Sequence, residues 1–232
     1  MKGLRQIKFS TRYGIDAPFW VAFLIIIGLL FTIPNIIGIA NNVYGLIYGI
    51  ICLFIGLWMF IYSTVIKLFH SDVMLELAKA KHGDELLDVG TGRGLLAISA
   101  AKRGCQVTAT DIWSKWDLGG NEKTKLQSNM LMEGVSQVDI LNADVRELPF
   151  QDENFDVVVS NFVIHNIKGA KERQKAVLEM WRVLRPNGTL VISDISKTTE
   201  YATVLKATSS EVKVKRFLYT FPFSKAVIVQ KR

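Results

Sequence analysis

An acid and three glycines stand together where this sequence could bind a ligand. Asp88 is followed at alternate positions by Gly90, Gly92 and Gly94. A glycine-rich turn between a strand and a helix lets backbone amides approach a ligand closely. An acid at this point would repel a polyphosphate, because both groups are negatively charged. The spacing therefore predicts a cationic ligand that carries no phosphate.

Segments typical of strands and helices alternate after Ser71, which predicts an α/β fold with a parallel sheet covered by helices on both faces. The predicted strands are ELLDV, QVTATD, VDILNAD, FDVVVSN and TLVISD, with two later candidates at 212–219 and 225–230. The segment between TLVISD and residue 212 has no clear pattern, so it is predicted to be irregular.

Four helices are predicted between these strands. They are VMLELAKA, GLLAISAAKRG, NEKTKLQSNMLMEG and KERQKAVLEMWRVL. Ser71-Asp72 is suited to cap the first of them, and Gly104 to end the second. The turn Arg185-Pro186-Asn187-Gly188 is predicted to end the last helix.

The ordered set of motifs resembles the Rossmann-like (class I) S-adenosylmethionine-dependent methyltransferases. DVGTGRG is similar to the D/E-x-G-x-G-x-G loop of that family, and NADV, FDVVVSNFVIHNI and RVLRPNGTLVISD resemble its later motifs in the same order. The resemblance covers 73–232 and is greatest to the small-molecule group that includes the ubiquinone and menaquinone biosynthesis methyltransferases. It implies S-adenosylmethionine as cofactor, a cation without phosphate.

The resemblance implies roles for the residues at the strand ends. Asp111 would accept hydrogen bonds from both ribose hydroxyls, and Ile112 would pack on the adenine. Asp144 would accept from the adenine amino group, and the amide of Val145 would reach a ring nitrogen. The implied cofactor-binding residues are Asp88, Gly90, Thr91, Gly92, Gly94, Asp111, Ile112, Asp144, Val145 and Asn161.

Simpler roles are open for the three acids. Asp88 could cap the helix that begins near Gly94, and Asp111 and Asp144 could be ordinary turn residues at strand ends. The other motifs, which occur in the family's order, favour the cofactor-binding roles.

Asn161, His165 and Asn166 lie at or just beyond the fourth strand and are the catalytic candidates. Methyl transfer requires mainly that the nucleophile be aligned with the methyl carbon, and a base is needed only if the acceptor must first lose a proton. His165 is the best candidate for that base, because histidine titrates near neutral pH. It could instead hold its loop through a backbone hydrogen bond.

Aromatic residues in two segments are candidates for an acceptor pocket. Trp113 and Trp116 lie in an unusual loop at 113–120, and Phe221 and Phe223 flank a proline near the C terminus. Tryptophan also favours the membrane interface. Both sets could equally pack against the core or fill the end of the sheet.

The stretch Ala17–Ile66 contains no charged residue. Because about 20 apolar residues cross a bilayer, this stretch fits two spans, joined by a link at Asn41-Asn42. We therefore predict a helical hairpin that anchors the protein in the membrane. The alternatives are a cleaved signal peptide, which would be shorter, and a buried hairpin in a soluble protein, which would need a larger surrounding core.

Basic residues flank this stretch at Lys2, Arg5, Lys8 and Arg12 on one side and at Lys67 on the other. Lysine and arginine near span ends favour the cytoplasmic side, so both termini and the catalytic domain are predicted to be cytoplasmic. The predicted organisation is a basic segment at 1–16, a membrane anchor at 17–66 and a methyltransferase domain at 71–232.

The function predicted from these features is methylation of a small, hydrophobic or membrane-associated acceptor such as a lipid or a quinone. A small thiol, an amine or a protein side chain is an alternative acceptor, and a cofactor-binding scaffold without catalysis is an alternative class. Part of the net charge of +7 comes from the basic flank, so the charge need not imply nucleic acid, and no dense basic stripe interleaved with aromatic residues indicates it. The two cysteines and three histidines lack the spacing of a metal site. The oligomeric state is not indicated.

Overall fold

The structure is a computed structural model that describes residues 10–113, 123–208 and 211–232. The chain divides into two compact units, Met1–Lys67 and Leu68–Arg232. The predicted anchor at 17–66 lies in the first unit, and the predicted methyltransferase domain at 71–232 lies in the second. Most of the predicted basic segment, residues 1–9, is outside the described residues.

The first unit contains helices α1 (Pro18–Ile36) and α2 (Val43–Ile61), followed by a π-helical turn at Tyr62–Ile66. Both helices are long and apolar enough to cross a membrane, although core helices and signal sequences can meet the same test. Pro34 lies inside the last turn of α1, which ends at Ile36. Proline lacks one amide donor, and in the last helical turn the loss of that hydrogen bond is tolerated.

Glycines bring α1 and α2 into close contact. A Cβ atom on Gly28 would lie 2.6 Å from Leu53 Cγ, and one on Gly49 would lie 2.4 Å from Thr32 Oγ1. The buried residues of α2 form one stripe along the helix: Gly45, Gly49, Cys52 and Gly56. Close helix pairs in membranes use small residues in this way, because lipid provides no hydrophobic force between helices.

Polar groups are satisfied at both ends of this helix pair. In the link, Asn42 Oδ1 accepts from the amide of Gly45 at 3.1 Å, and Asn35 Oδ1 accepts from the amide of Asn42 at 2.8 Å. At the opposite end Lys67 Nζ lies 3.5 Å from Asp16 Oδ2. The nearest described charges on the two sides of the apolar stretch therefore pair with each other.

The second unit is built on a seven-stranded sheet with the order β3-β2-β1-β4-β5-β7-β6. The strands are β1 Glu85–Val89, β2 Gln106–Asp111, β3 Val138–Asn142, β4 Phe155–Asn161, β5 Leu184–Asp194, β6 Val212–Phe217 and β7 Ser224–Gln230. The first five are parallel, whereas β7 runs antiparallel to β5 and β6. The α/β prediction is confirmed, but the sheet is mixed rather than parallel throughout. A short loop joins β6 to β7, and strands joined by a short loop pair antiparallel.

In the part of the chain that the structure describes, five α-helices accompany the sheet: α3 Lys67–Leu77, α4 Leu95–Ala101, α5 Lys123–Met132, α6 Ala170–Arg182 and α7 Thr198–Lys206. The predicted cap at Ser71-Asp72 is wrong, because α3 follows the π-helical turn directly and needs no new N terminus there. The predicted irregular segment after β5 contains α7. Its buried residues Tyr201, Ala202 and Leu205 are too few to give a clear periodic pattern.

The predicted turn at Arg185–Gly188 proves to be an irregularity inside β5. The register between β4 and β5 shifts at this point, and Asn187 has a positive φ of 66°. The amide of Asn187 donates to Lys231 O at 2.7 Å. Because Lys231, the residue after β7, supplies this partner, the strand continues through a proline that the sequence alone marks as a break.

Buried apolar residues cover both faces of the sheet. Leu86 and Leu87 are adjacent in β1, where side chains alternate between faces, and both are fully buried. On one face Leu87 belongs to a cluster with Met180 of α6 and Leu205 of α7. The helix that the sequence analysis missed is therefore part of the main core.

Leu205→Ala should destabilise the full chain by about 2 to 5 kcal/mol, because it leaves a cavity beneath α7. The matched control is Leu178→Ala in α6, where the side chain is 45% exposed. Thermal unfolding in detergent micelles, followed by circular dichroism, measures both variants. Equal melting temperatures would contradict the packing of α7 against the core.

Candidate functional site

The carboxyl ends of the parallel strands form the edge on which the predicted residues meet. The strand order reverses between β1 and β4, which are neighbours although β2 and β3 intervene in sequence. Open α/β sheets bind ligands at such a reversal point. Asp88 lies near the end of β1, Asp111 ends β2 and Asn161 ends β4, so the topology brings these residues to one crevice.

The glycine turn after β1 is packed too tightly for side chains. Gly90 and Gly94 have φ values of 71° and 83°, which glycine adopts without strain. A Cβ on Gly90 would lie 2.3 Å from Val163 Cγ2, and one on Gly94 would lie 2.0 Å from Leu126 Cδ1. The turn therefore contacts both the loop after β4 and helix α5.

Asp88 is buried beneath this turn. One carboxylate oxygen accepts from the hydroxyl of Thr91 at 2.8 Å, and only 2% of the residue is exposed. Burial raises the pKa of Asp88 to about 7, against the lowering effect of hydrogen bonds from Thr91 and the Ala97 amide. The bond from Thr91 holds the acid behind the glycine turn.

Asp111 connects the glycine turn to the end of β2. Its two carboxylate oxygens accept from the amides of Gly92 and Trp113, each at 2.8 Å. The neighbouring Ile112 is 56% exposed, which gives an apolar surface beside the acid. The acid is therefore followed directly in the chain by an exposed apolar side chain.

Asp144 has a partner that the sequence analysis did not predict. Arg146 Nε lies 3.0 Å from each of its carboxylate oxygens, and Arg146 also pairs with Glu172 at 3.1 Å. The arginine lowers the pKa of Asp144. Val145 is buried in the core cluster. An adenine amino group would therefore have to share this carboxylate with Arg146.

The loop after β4 is attached to the end of β5. The amide of His165 donates to Asp194 Oδ2 at 3.0 Å, and His165 Nδ1 lies 2.5 Å from Asp194 Oδ1. Asn161 is half-buried, whereas Asn166 is exposed. Two of the three catalytic candidates thus lie in partly enclosed positions at the crevice edge.

A buried histidine that the sequence analysis did not single out lies beside the same strands. His70 of α3 places Nε2 3.2 Å from Ser193 Oγ and Nδ1 3.2 Å from Tyr219 Oη. Burial lowers the pKa of His70 to about 4 and raises that of Tyr219 to about 12. Both groups are therefore neutral at physiological pH. Because His70 and Ser193 are far apart in sequence, no local pattern could have revealed the pair.

The aromatic candidates are divided between two places. Trp113 is half-buried and adjoins Asp111, while Trp116 and the rest of the predicted loop at 114–120 lie outside the described residues. Phe221 and Phe223 lie in the hairpin between β6 and β7. Since Asp194 pairs with Lys225, this hairpin lies at the carboxyl end of β5. Phe223 is 63% exposed.

Metal ligands are not clustered in the described part of the chain. No group of three or more histidine, cysteine, aspartate or glutamate side chains in 10–113, 123–208 and 211–232 is arranged to hold an ion. The crevice instead presents isolated acids, amides and apolar surface. Such groups suit an organic cation with a nucleoside part.

Comparison with protein families matches residues 87–192 to a methyltransferase domain. The chain is 33% identical over 129 residues to the ubiquinone/menaquinone biosynthesis C-methyltransferase UbiE of Stutzerimonas stutzeri, covering 54% of this chain and 47% of that protein. It is 33% identical over 133 residues to the sterol 4-C-methyltransferase strm-1 of Caenorhabditis elegans, covering 57% and 36%. The chain thus spans less than half the length of these curated relatives.

Solved structures share the fold at low identity. A SAM-dependent methyltransferase from Aquifex aeolicus has a TM-score of 0.55 at 20% identity, covering 72% of this chain and 92% of that one. The cyclase SpnF has a TM-score of 0.57 at 17% identity, covering 71% and 80%. The sheet and its crevice therefore define a Rossmann-like class I methyltransferase fold. Residues 87–192 thus match a methyltransferase domain, and the sheet that contains them has the methyltransferase fold.

The raised pKa of Asp88 predicts a specific dependence of stability on pH. The folded protein keeps this proton up to about pH 7, whereas an unfolded aspartate releases it near about pH 4. The stability contributed by the proton is complete below about pH 4 and is lost as the pH rises to about 7. Asp88→Asn removes this dependence, so its stability relative to the natural chain should increase by about 3 kcal/mol between pH 5 and pH 8.

Thermal unfolding of the full chain at several pH values measures this change. Asp144→Asn is the control, because the lowered pKa of Asp144 leaves that acid ionised throughout this range in both states. Its stability difference from the natural chain should stay constant. A constant difference for Asp88→Asn as well would mean that Asp88 is ionised in the folded protein.

Proposed function

We propose that this protein is a membrane-anchored methyltransferase that transfers the methyl group of S-adenosylmethionine to a small hydrophobic acceptor. The observation that carries this proposal is the arrangement of Asp88, Asp111 and the glycine turn at the reversal point of the sheet. The cofactor, when bound, supplies an electrophilic methyl group. The protein has to hold the nucleoside, exclude water and align the acceptor.

The geometry of Asp111 fits ribose binding. A carboxylate has about four acceptor sites, so Asp111 can hold the amides of Gly92 and Trp113 and also receive hydroxyl groups. The side chain of Ile112 is exposed. Packing against a base would remove its apolar surface from water, which is favourable. A cation bound beside Asp88 would stabilise the charged form of this acid, whereas the phosphates of a dinucleotide would not.

An apolar acceptor is supported by two independent features. The relatives named above are called quinone and sterol methyltransferases, and both names refer to lipophilic molecules. The hairpin at the carboxyl end of β5 carries the exposed Phe223 and the half-buried Phe221. We propose that these rings contact the acceptor. Asn161 and His165 would then provide the polar groups that orient it.

A bilayer is the proposed environment of α1 and α2. Large apolar side chains such as Trp20, Leu30 and Phe54 are more than half exposed, which a soluble core helix would not allow. The glycine stripe of α2 and the pairing of Asp16 with Lys67 also fit a hairpin that enters and leaves on one side. Tethering raises the effective concentration of the domain toward acceptors dissolved in the membrane.

Two rival functions have to be distinguished from this proposal by experiment: a scaffold without catalysis, and methylation of a different class of acceptor. The fold alone does not establish methyl transfer, because the cyclase SpnF shares it. A scaffold without catalysis would not need acids beneath and beside the glycine turn. A thiol, amine or protein side chain as acceptor would require no apolar pocket.

Label transfer provides the test. The full chain in lipid vesicles is given S-adenosylmethionine with a radiolabelled methyl group, together with either a membrane lipid extract or a cytosolic extract. We expect label in the lipid-soluble fraction. Asp111→Ala should weaken binding of S-adenosylhomocysteine by about 1 to 3 kcal/mol, because it strands hydrogen-bond donors, and should reduce labelling accordingly.

Asp139→Ala is the matched control, since Asp139 is an exposed acid on β3. It should bind S-adenosylhomocysteine as the natural chain does in calorimetry. Label confined to water-soluble products or to protein would overturn the proposed acceptor class. Binding without any labelling would favour the scaffold.

Topology can be tested by cysteine labelling in intact cells. Asn41→Cys places a thiol in the exposed link, and Arg232→Cys places one at the end of the chain, while natural Cys52 and Cys105 are buried. A maleimide that cannot cross membranes should label the link from outside and the terminus only after permeabilisation. Protection of both thiols until permeabilisation would contradict a membrane-crossing hairpin.

A further inference from the structure

The hairpin between β6 and β7 exposes large apolar side chains at the carboxyl edge of the sheet. Leu218 is 71% exposed and Phe223 is 63% exposed, and both lie between the two strands. Phe217, at the end of β6, is buried, so the hairpin is held to the domain without help from these two side chains. Apolar side chains that are exposed together mark a surface for a protein or membrane contact.

Basic residues accompany this apolar tip. The segment 212–232 contains six basic residues and no acid. Lys213 and Lys215 are exposed on β6, and they share a face with Phe217 because alternate residues of a strand point to the same side. Lys215 Nζ lies 5.7 Å from the centre of the Phe217 ring. The hairpin therefore combines an apolar tip with a positively charged strand.

Helix α3 contacts this hairpin close to the point where the uncharged stretch ends in sequence. The ring centres of Phe69 and Tyr219 are 5.9 Å apart, and those of His70 and Phe217 are 4.9 Å apart. Phe69 follows Ile66, the last residue of the uncharged stretch, by three positions. Three helical residues rise by about 5 Å, which is less than the thickness of a lipid headgroup layer. A chain anchored through 17–66 therefore keeps Phe69, and the hairpin it contacts, near the headgroups.

We propose that the β6–β7 hairpin is a second membrane contact, which binds the anionic lipid surface of the bilayer that holds α1 and α2. Leu218 and Phe223 enter the boundary between headgroups and acyl chains, while Lys213 and Lys215 contact anionic headgroups. The inference rests on the proposed function, because it requires the anchor. The contact turns the carboxyl edge of the sheet toward the lipid, so a hydrophobic acceptor reaches the crevice without crossing water.

The composition of the hairpin fits a lipid surface better than a protein partner. Shallow membrane insertion uses a few apolar side chains beside lysine and arginine, and each basic residue near the surface adds attraction to anionic lipid. A stable protein interface instead buries about 800 Å² on each partner, which is far more than two side chains provide. The absence of acids from 212–232 also matches an anionic surface along the whole segment.

Lipid quenching of a fluorescent probe tests this contact in the full chain. Leu218→Cys is labelled with a polarity-sensitive dye, since natural Cys52 and Cys105 are buried. The protein is placed in vesicles of phosphatidylcholine and phosphatidylglycerol, in which some lipids carry a nitroxide quencher near the headgroup. We expect a blue shift of the dye emission and a loss of fluorescence to the quencher, because the dye leaves water and enters the lipid.

Leu131→Cys is the matched control for this probe. Leu131 is 82% exposed on α5, and α5 precedes β3, which forms the edge of the sheet opposite to β6. The same dye at this position should keep its fluorescence in the same vesicles. The comparison separates insertion of the hairpin from a general affinity of the dye for lipid.

The role of the lysines is tested by removing their charges. Lys213→Gln combined with Lys215→Gln should reduce the ratio of bound to free hairpin by about 25-fold in the mixed vesicles, since each basic residue near an anionic surface contributes about fivefold, or about 1 kcal/mol. In vesicles of phosphatidylcholine alone, the double variant should behave as the natural pair does. Lys79→Gln combined with Lys81→Gln is the control, because these exposed lysines have the same spacing but precede β1, at the opposite edge of the sheet.

The possible outcomes separate the inference from the proposed function. Equal quenching at positions 218 and 131 in vesicle-bound protein would overturn the inference and leave the anchor and the methyl transfer as they stand. A blue shift at 218 without quenching by the lipid would also overturn it, because the hairpin would then be covered by protein. If the full chain did not float with the vesicles, the membrane anchor of the proposed function would be wrong, and the inference would fall with it.

Discussion

The contact between the glycine turn after β1 and the loop after β4 is the constraint on which the candidate site depends. A Cβ on Gly90 would overlap Val163, so the two segments meet only because this position has no side chain. The sheet requires that meeting, since β1 and β4 are neighbours at the point where the strand order reverses. Asp88 on β1 and His165 in the loop after β4 therefore lie at the same edge of the sheet.

The sequence predicted the elements whose signals are local. Five parallel strands, the glycine turn and the amphipathic α6 follow from residue patterns, and the late strands lie near the predicted positions. Long-range partners could not be predicted in the same way. The direction of β7, the continuation of β5 past Pro186 and the capture of Asp144 by Arg146 each depend on contacts that no short segment encodes. α7 is only nine residues long, and its few buried apolar residues make too short a pattern to predict a helix.

The same distinction applies to the candidate site. Asp88 and Asp111 could be identified because glycines and strand ends mark them. Asp194 could have been identified in the same way, because it is an acid at the end of the predicted strand TLVISD. His70 had none, because its partners Ser193 and Tyr219 are distant in sequence. A local motif indicates where a cofactor binds, whereas the surroundings of the acceptor are assembled from separate parts of the chain.

The buried acids are difficult to explain by stability alone. Asp88 lies in a site that raises its pKa to about 7, which means that its charged form is disfavoured in the folded protein without a ligand. A nearby sulfonium or ammonium would reverse that preference, because an opposite charge stabilises the carboxylate. Asp194, by contrast, is surrounded by hydrogen-bond donors. Asp194 is thus engaged by donors of the protein itself, whereas Asp88 carries a charged form that a bound cation would stabilise.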